Sequence, residues 1–161
     1  MSRANLKALL TFVCFTPFVH ASAADAPSAP DAGSPGLYVD HSTVAAKLKE
    51  AMQAGRDPAV SAMAITDQYL ISEVRRSKVG PPAVHPGWTE VHIILEGSAT
   101  FVTGGKITNS SDGKPAGIEG GVSQKVKKGD AVVVPANTPH WYQHIDGEVS
   151  AIEVRFVAPT K

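Results

Sequence analysis

Two short stretches of this 161-residue chain hold most of the side chains capable of chemistry: Glu90 with His92, and His140 with Tyr142 and His144. On an extended strand alternate side chains share a face. Glu90, His92 and Ile94 therefore point one way and Val91, Ile93 and Leu95 the other, and after Pro139 the same rule aligns His140, Tyr142 and His144. Imidazoles and carboxylates are ligands for divalent ions, and a phenol or imidazole beside them can move a proton. The single cysteine, Cys14, lies in the N-terminal segment. Thiolate ligands, disulfides and a structural zinc site are therefore not expected, and histidine and carboxylate remain as metal donors.

Strands are needed to aim these groups, and the pattern beyond Pro58 supplies them. Short apolar segments are expected as strands near Val60–Ile65, Tyr69–Arg75, Glu90–Leu95, Ala99–Thr103, Gln124–Lys127, Ala131–Val134, Trp141–Ile145 and Val149–Phe156. Turn residues separate them at Gly80-Pro81-Pro82, Glu96-Gly97, Gly104-Gly105, Lys128-Gly129-Asp130 and Asp146-Gly147. Such a succession implies a sandwich or barrel. Lys106 to Gly121 reads as a long polar connection and the most mobile part. Before the strands, Val44, Leu48 and Met52 recur at helical spacing, with Ser42 placed to cap the helix and Gly55 to end it. This helix is expected as a lid.

The N-terminus reads as an export signal. Arg3 and Lys7 precede an apolar stretch from Ala8 to Val19, and Ala21-Ser22-Ala23 offers small residues for cleavage near Ala24. A membrane anchor is the other reading, but Pro17 interrupts the stretch and it is short for a span. Residues 24–36 form a flexible lead rich in Ala, Ser, Pro and Gly, 37–58 hold the helix and its connection, and 59–161 the barrel. Lysine plus arginine and aspartate plus glutamate both total 15. No net field is available to attract nucleic acid or an anionic membrane.

Two motifs narrow the fold further. The first runs His85-Pro86-Gly87-Trp88-Thr89-Glu90-Val91-His92-Ile93-Ile94-Leu95-Glu96-Gly97, and the second from Gly129-Asp130 to Pro135-Ala136-Asn137-Thr138-Pro139-His140. Together they resemble the cupin superfamily, whose first motif is a His-x-His pair, a Glu and a strand ending in Gly, and whose second joins Gly, Pro-x-Gly and His. The resemblance covers roughly Ala59 to Val157. It implies an all-β fold, a single cupin-type double-stranded β-helix (jelly-roll) barrel with an N-terminal helix.

Position by position, the resemblance assigns His85, Glu90 and His140 as metal ligands. Ala83 stands where the first histidine of the pair belongs, and alanine cannot ligate. Asn137 replaces the turn glycine of the second motif, which asparagine can do because it tolerates positive φ. If Glu90 and His140 face the interior, so do His92, Tyr142 and His144. His92 is then either a replacement ligand or a core histidine bonded to Glu90 or Tyr142, and His144 either orients the ligands or lines the mouth. Trp88, between two expected ligands, is the better pocket tryptophan, since Trp141 falls on the face opposite His140. Of Arg75 and Arg76, ending a strand, one can point inward to hold a substrate carboxylate; a solvated charge pair is the alternative.

The expected function is thus an exported, periplasmic or secreted, metal-binding cupin. It would be an enzyme acting on a small metabolite, with Fe, Mn, Ni or Zn at a two-histidine, one-carboxylate site and Tyr142 or His92 moving a proton. A non-catalytic small-molecule- or metal-binding protein is the alternative, favoured by Ala83, and a storage-type barrel is weaker. Family practice implies a homodimer, with no nucleic acid partner and no membrane contact after signal cleavage. No nucleotide loop or nucleophile elbow is present.

Overall fold

The computed structural model of the chain describes Gly33 and residues 35–157. The expected leader (1–23), with Cys14 and His20, most of the expected lead (24–36) and residues 158–161 lie outside the described residues.

Among the described residues one helix, α1 (His41–Gln53), precedes eight strands: β1 (Ala59–Ile65), β2 (Tyr69–Arg76), β3 (Trp88–Thr103), β4 (Lys106–Asn109), β5 (Pro115–Glu119), β6 (Val122–Lys127), β7 (Ala131–Val134) and β8 (His140–Val157). Asp40, rather than Ser42, caps α1: its carboxylate accepts from the Thr43 amide at 3.0 Å. Val44, Leu48 and Ala51 form the buried face, while Met52 falls to its margin and is 43% exposed. Gly55, at φ 72, closes the helix by donating to the Met52 carbonyl. The apolar face packs with Ala59 of β1, so α1 covers the outside of the sheet.

The main sheet runs β1-β2-β8-β3-β6, with β7 also paired to β3. Its backbone is the antiparallel pairing of β3 with β8, from Trp88 opposite Val157 to Thr103 opposite His140. The sequence pattern divides each of these long strands into two shorter ones. The breaks at Glu96-Gly97 and Asp146-Gly147 are instead bends within continuous strands, marked by register shifts between Ile94 and Glu96 and between Gly97 and Ala99. Gly97 has φ 76, and a Cβ there would meet the Glu148 carbonyl oxygen at 1.9 Å, so only glycine allows the strands to approach. The bend lays one half of the β3–β8 pair over the other and makes a jelly-roll barrel. Between them lies a core of Ile94, Ala99, Phe101, Val126, Val134, Tyr142, Ile145, Val149 and Ala151.

The expected mobile connection from Lys106 to Gly121 is in fact a second, two-stranded ribbon, with Lys106 opposite Glu119 and Ile107 opposite Ile118. Its turn is held by the Ser110 amide on the Lys114 carbonyl at 2.8 Å. A ribbon with little buried surface needs no apolar alternation, and this sequence shows none. Among the described residues, no helix is long and apolar enough to cross a membrane.

Candidate metal centre

The bend brings three elements to one end of the barrel. His85 arrives on the loop before β3, Glu90 is the third residue of β3, and His140 opens β8. The two loops are tied together. Ala83 and His140 exchange two backbone hydrogen bonds of 2.9 Å, and the Gly87 amide donates to the Asn137 side-chain oxygen at 3.2 Å. Asn137 has φ 64, the left-handed turn that its motif position requires.

One potential ligand atom from each of His85, Glu90 and His140 lies within 4.8 Å of the others. His85 Nδ1 meets Glu90 Oε1 at 2.5 Å, and His140 Nε2 stands 3.6 Å from the same oxygen. His140 Nδ1 is 3.1 Å from the Thr138 carbonyl. A proton on Nδ1 therefore donates there, and the Nε2 lone pair is left for a metal. Phe101 stacks beneath His140, with ring centroids 6.2 Å apart. The donor set fits a divalent ion with open coordination positions.

A second layer of charge surrounds these three. His92 Nδ1 lies 3.2 Å from the Tyr142 hydroxyl and 3.3 Å from Glu153 Oε1. Among the described residues its Nε2 has no hydrogen-bond partner, because Glu90 Oε2 at 3.6 Å is a charge contact rather than a hydrogen bond. Arg155 Nε donates to Glu90 Oε2 at 2.9 Å. Arg76 Nη1 lies 2.7 Å from Glu153 Oε1, close but not aligned as a hydrogen bond, and its guanidinium sits 4.7 Å from the centre of the Tyr142 ring.

These neighbours set the protonation states. Burial pushes the Glu90 carboxyl up, but His92 and the charges of His140, Arg155 and His85 outweigh it and hold it at about 2. Glu153 is likewise raised by burial and then lowered further, by His92 and Arg76, to about 2. Burial pushes His140 down, only partly opposed by Glu90, which keeps its ring neutral and able to ligate. Burial would also lower His92, yet the carboxylates of Glu153 and Glu90 raise it overall. Burial first, then the Glu153 charge, pushes the Tyr142 phenol up, so it stays protonated.

The structure therefore brings His85, Glu90 and His140 into one cluster and places His92 and Tyr142 beside it. His92 sits between two carboxylates and against Tyr142, the arrangement of a core histidine rather than a fourth ligand. Three expected pocket residues lie elsewhere. His144 is exposed and bonds Asp146 at 3.0 Å. The reason is a bulge: Phe101 pairs with Tyr142 and Thr100 with His144, so Gln143 is an extra residue that reverses the alternation. Arg75 faces outward, bonds Glu148 and lines a groove of about 820 Å³ under α1. That larger hollow is not where the ionisable groups converge. Trp88 begins β3 opposite Val157 and does not line the cavity among the ligands, whereas Trp141 does, donating from its indole to the Gly80 carbonyl at 2.7 Å.

Sequence reasoning missed Glu153 and Arg155 as parts of the site, and of the Arg75–Arg76 pair it named Arg75 for the pocket where Arg76 is the one that lines it. Their signal was available. On a strand running from Val149, Glu153 and Arg155 share the face of the buried Ala151. Arg76 is opposite Val149, and so points inward where Arg75 cannot.

Comparison with known proteins agrees with the fold. The chain is similar in fold to TT1209 from Thermus thermophilus, at 16% identity and TM-score 0.52, covering 77% of this chain and all (100%) of that one. BH2720 from Bacillus halodurans matches at 13% identity and TM-score 0.50, over 80% of this chain and 87% of that one. An iron(II) form of HppE matches at 16% identity and TM-score 0.49, over 60% and 50% respectively. No curated protein sequence matches the chain. The family model described as Cupin, however, matches residues 71–158, more than half of the chain. On that match, and with the barrel and motifs already described, the chain belongs to the cupin family.

Proposed function

We propose that this cupin holds a divalent transition metal at His85, Glu90 and His140 and acts there on a small metabolite. The observation that carries the reading is the convergence of three donor atoms within 4.8 Å of one another. A neutral His140 ring and an ionised Glu90 support it. Bound Fe, Mn, Ni or Zn would polarise a substrate oxygen or bind dioxygen. His92 and Tyr142, 3.2 Å apart, are the pair placed to handle a proton: Tyr142 keeps its phenol proton, and the ionised Glu153 behind His92 favours the protonated imidazole.

Metal analysis of protein purified without chelators tests this, with one equivalent of a transition metal expected. His140→Ala should abolish uptake while the barrel still folds; retained occupancy would mean the ligand set is wrong. A second reading, binding without turnover, draws its support from Ala83, whose methyl lines the cavity where the family's first histidine belongs.

Two further properties are proposed. Export is supported by Arg3, Lys7 and the apolar run ending before Ala21-Ser22-Ala23; mass spectrometry of secreted protein should find an N-terminus near Ala24. A homodimer is supported by an outer apolar row, Ile71–Val154–Val91–Val133, which crosses four strands in register. Light scattering should give twice the chain mass.

A further inference from the structure

The arginines and glutamates of the cavity wall pair off, and a metal would add positive charge to them. Arg76 faces Glu153 at 2.7 Å, and Arg155 Nε donates to Glu90 at 2.9 Å, so two guanidiniums balance two carboxylates. A divalent ion held by His85, His140 and the single carboxylate of Glu90 would leave positive charge in a largely buried pocket, where unpaired charge is costly. A ligand that brings negative charge would remove that cost.

Arg155 is arranged to receive it. Its Nε is committed to a carboxylate only 1% exposed, while its own side chain is 28% exposed and lines the cavity. Among the described residues its two terminal amines make no hydrogen bond. A guanidinium fixed through one nitrogen presents the rest as an oriented fork, the geometry that matches a carboxylate. Arg76 differs: it is held inside, against Glu153 and the Tyr142 ring. The cavity is about 90 Å³, roughly the volume of three waters at ~30 Å³ each, which limits the ligand to a handful of heavy atoms.

We propose that Arg155 binds the carboxylate of a small oxygenated organic acid, of about two or three carbons, and directs its other end toward His85, Glu90 and His140. This rests on the metal reading above, deepens it by naming the substrate class, and assigns the recognition role to a residue outside both motifs.

The test uses glycolate and its uncharged isostere glycolamide as probes, titrated by calorimetry into metal-free and Co(II)-loaded protein, with Co(II) absorption as a second signal. Glycolate should bind the loaded protein at least tenfold more tightly than glycolamide and shift the cobalt spectrum. Arg155→Gln should take up Co(II) in the same ratio yet lose at least tenfold in glycolate affinity, with Arg155→Lys recovering part of it. Equal binding of the two probes to the wild-type protein overturns the anion site without reference to any variant, as does unchanged glycolate affinity in a folded Arg155→Gln. Failure of the wild-type protein to take up Co(II), with glycolate binding still selective and dependent on Arg155, overturns the metal reading alone and leaves the anion site supported.

Discussion

The inner face of the barrel is two different surfaces built on the same pair of strands. At the end away from the bend β3 and β8 contribute Glu90, His92, His140, Glu153 and Arg155; close to the bend, on either side of it, they contribute Ile94, Ala99, Ile145, Val149 and Ala151. The apolar floor stabilises the fold through surface removed from water. The charged mouth has no such justification, because well-packed apolar residues in place of buried ion pairs are often as stable or more so. Its ionisable groups are therefore best understood as a site that the floor supports, with Phe101 between His92, His140 and Tyr142 as the seam.

The comparison can be broken most severely at the bend that creates it. Gly97→Val should cost about 4 kcal/mol or more, since its side chain would collide with the backbone at Glu148; a wild-type denaturation midpoint would show that the bend does not hold the two halves together. Next comes the mouth itself. Glu153→Gln leaves Arg76 without its counter-charge and should cost about 3 kcal/mol near neutrality. Glu90 and Glu153 are held at about 2 against an ordinary 4.5. Because the folded values are the lower ones, their stabilisation is present above about pH 4.5 and is lost as pH falls toward 2. Glu153→Gln should flatten that acid slope, whereas Ile94→Val in the floor should subtract about 1 kcal/mol equally across the range. An unchanged slope in the Gln variant would refute the assignment.

Ala83→His sharpens the contrast by addition. Restoring an imidazole to the cavity wall should tighten metal binding about tenfold, or ~1.4 kcal/mol, in competition with a chromogenic chelator; weaker binding would count against the proposed ligand geometry. The smallest effect belongs to His144→Ala. Its ring is 65% exposed, so stability should change by less than about 0.5 kcal/mol, with metal content untouched.

Much of this arrangement is legible in the residues because strand alternation and the two motifs reinforce each other at Glu90, His92, His140 and Tyr142. Alternation also fails where the backbone departs from it. Nothing in Trp141 to Ile145 announces the bulge at Gln143, so the residue pattern aligns His144 with the wrong face. Choosing between Arg75 and Arg76 depends on the pairing of β2 with β8, which is a tertiary fact. Glu153 and Arg155 escape notice for a different reason: acidic and basic residues near a strand end look like a solvated surface unless the face of Ala151 is followed outward. The helix is legible from its apolar spacing, but its cap is not, since both Asp40 and Ser42 can accept the free amides and only geometry decides between them.

Asn137 is a departure from the family's glycine that does more than glycine can. Its backbone takes the left-handed turn, and its carboxamide holds the Gly87 amide across the gap between the His85 and His140 loops. The ordering of those loops is then settled when the chain folds and not when an ion arrives. An ion meeting this site forfeits less entropy than one that must first gather its own ligands. In a barrel that lacks a donor at Ala83, a side-chain amide that itself ligates nothing thus keeps the two remaining histidine loops at a fixed distance.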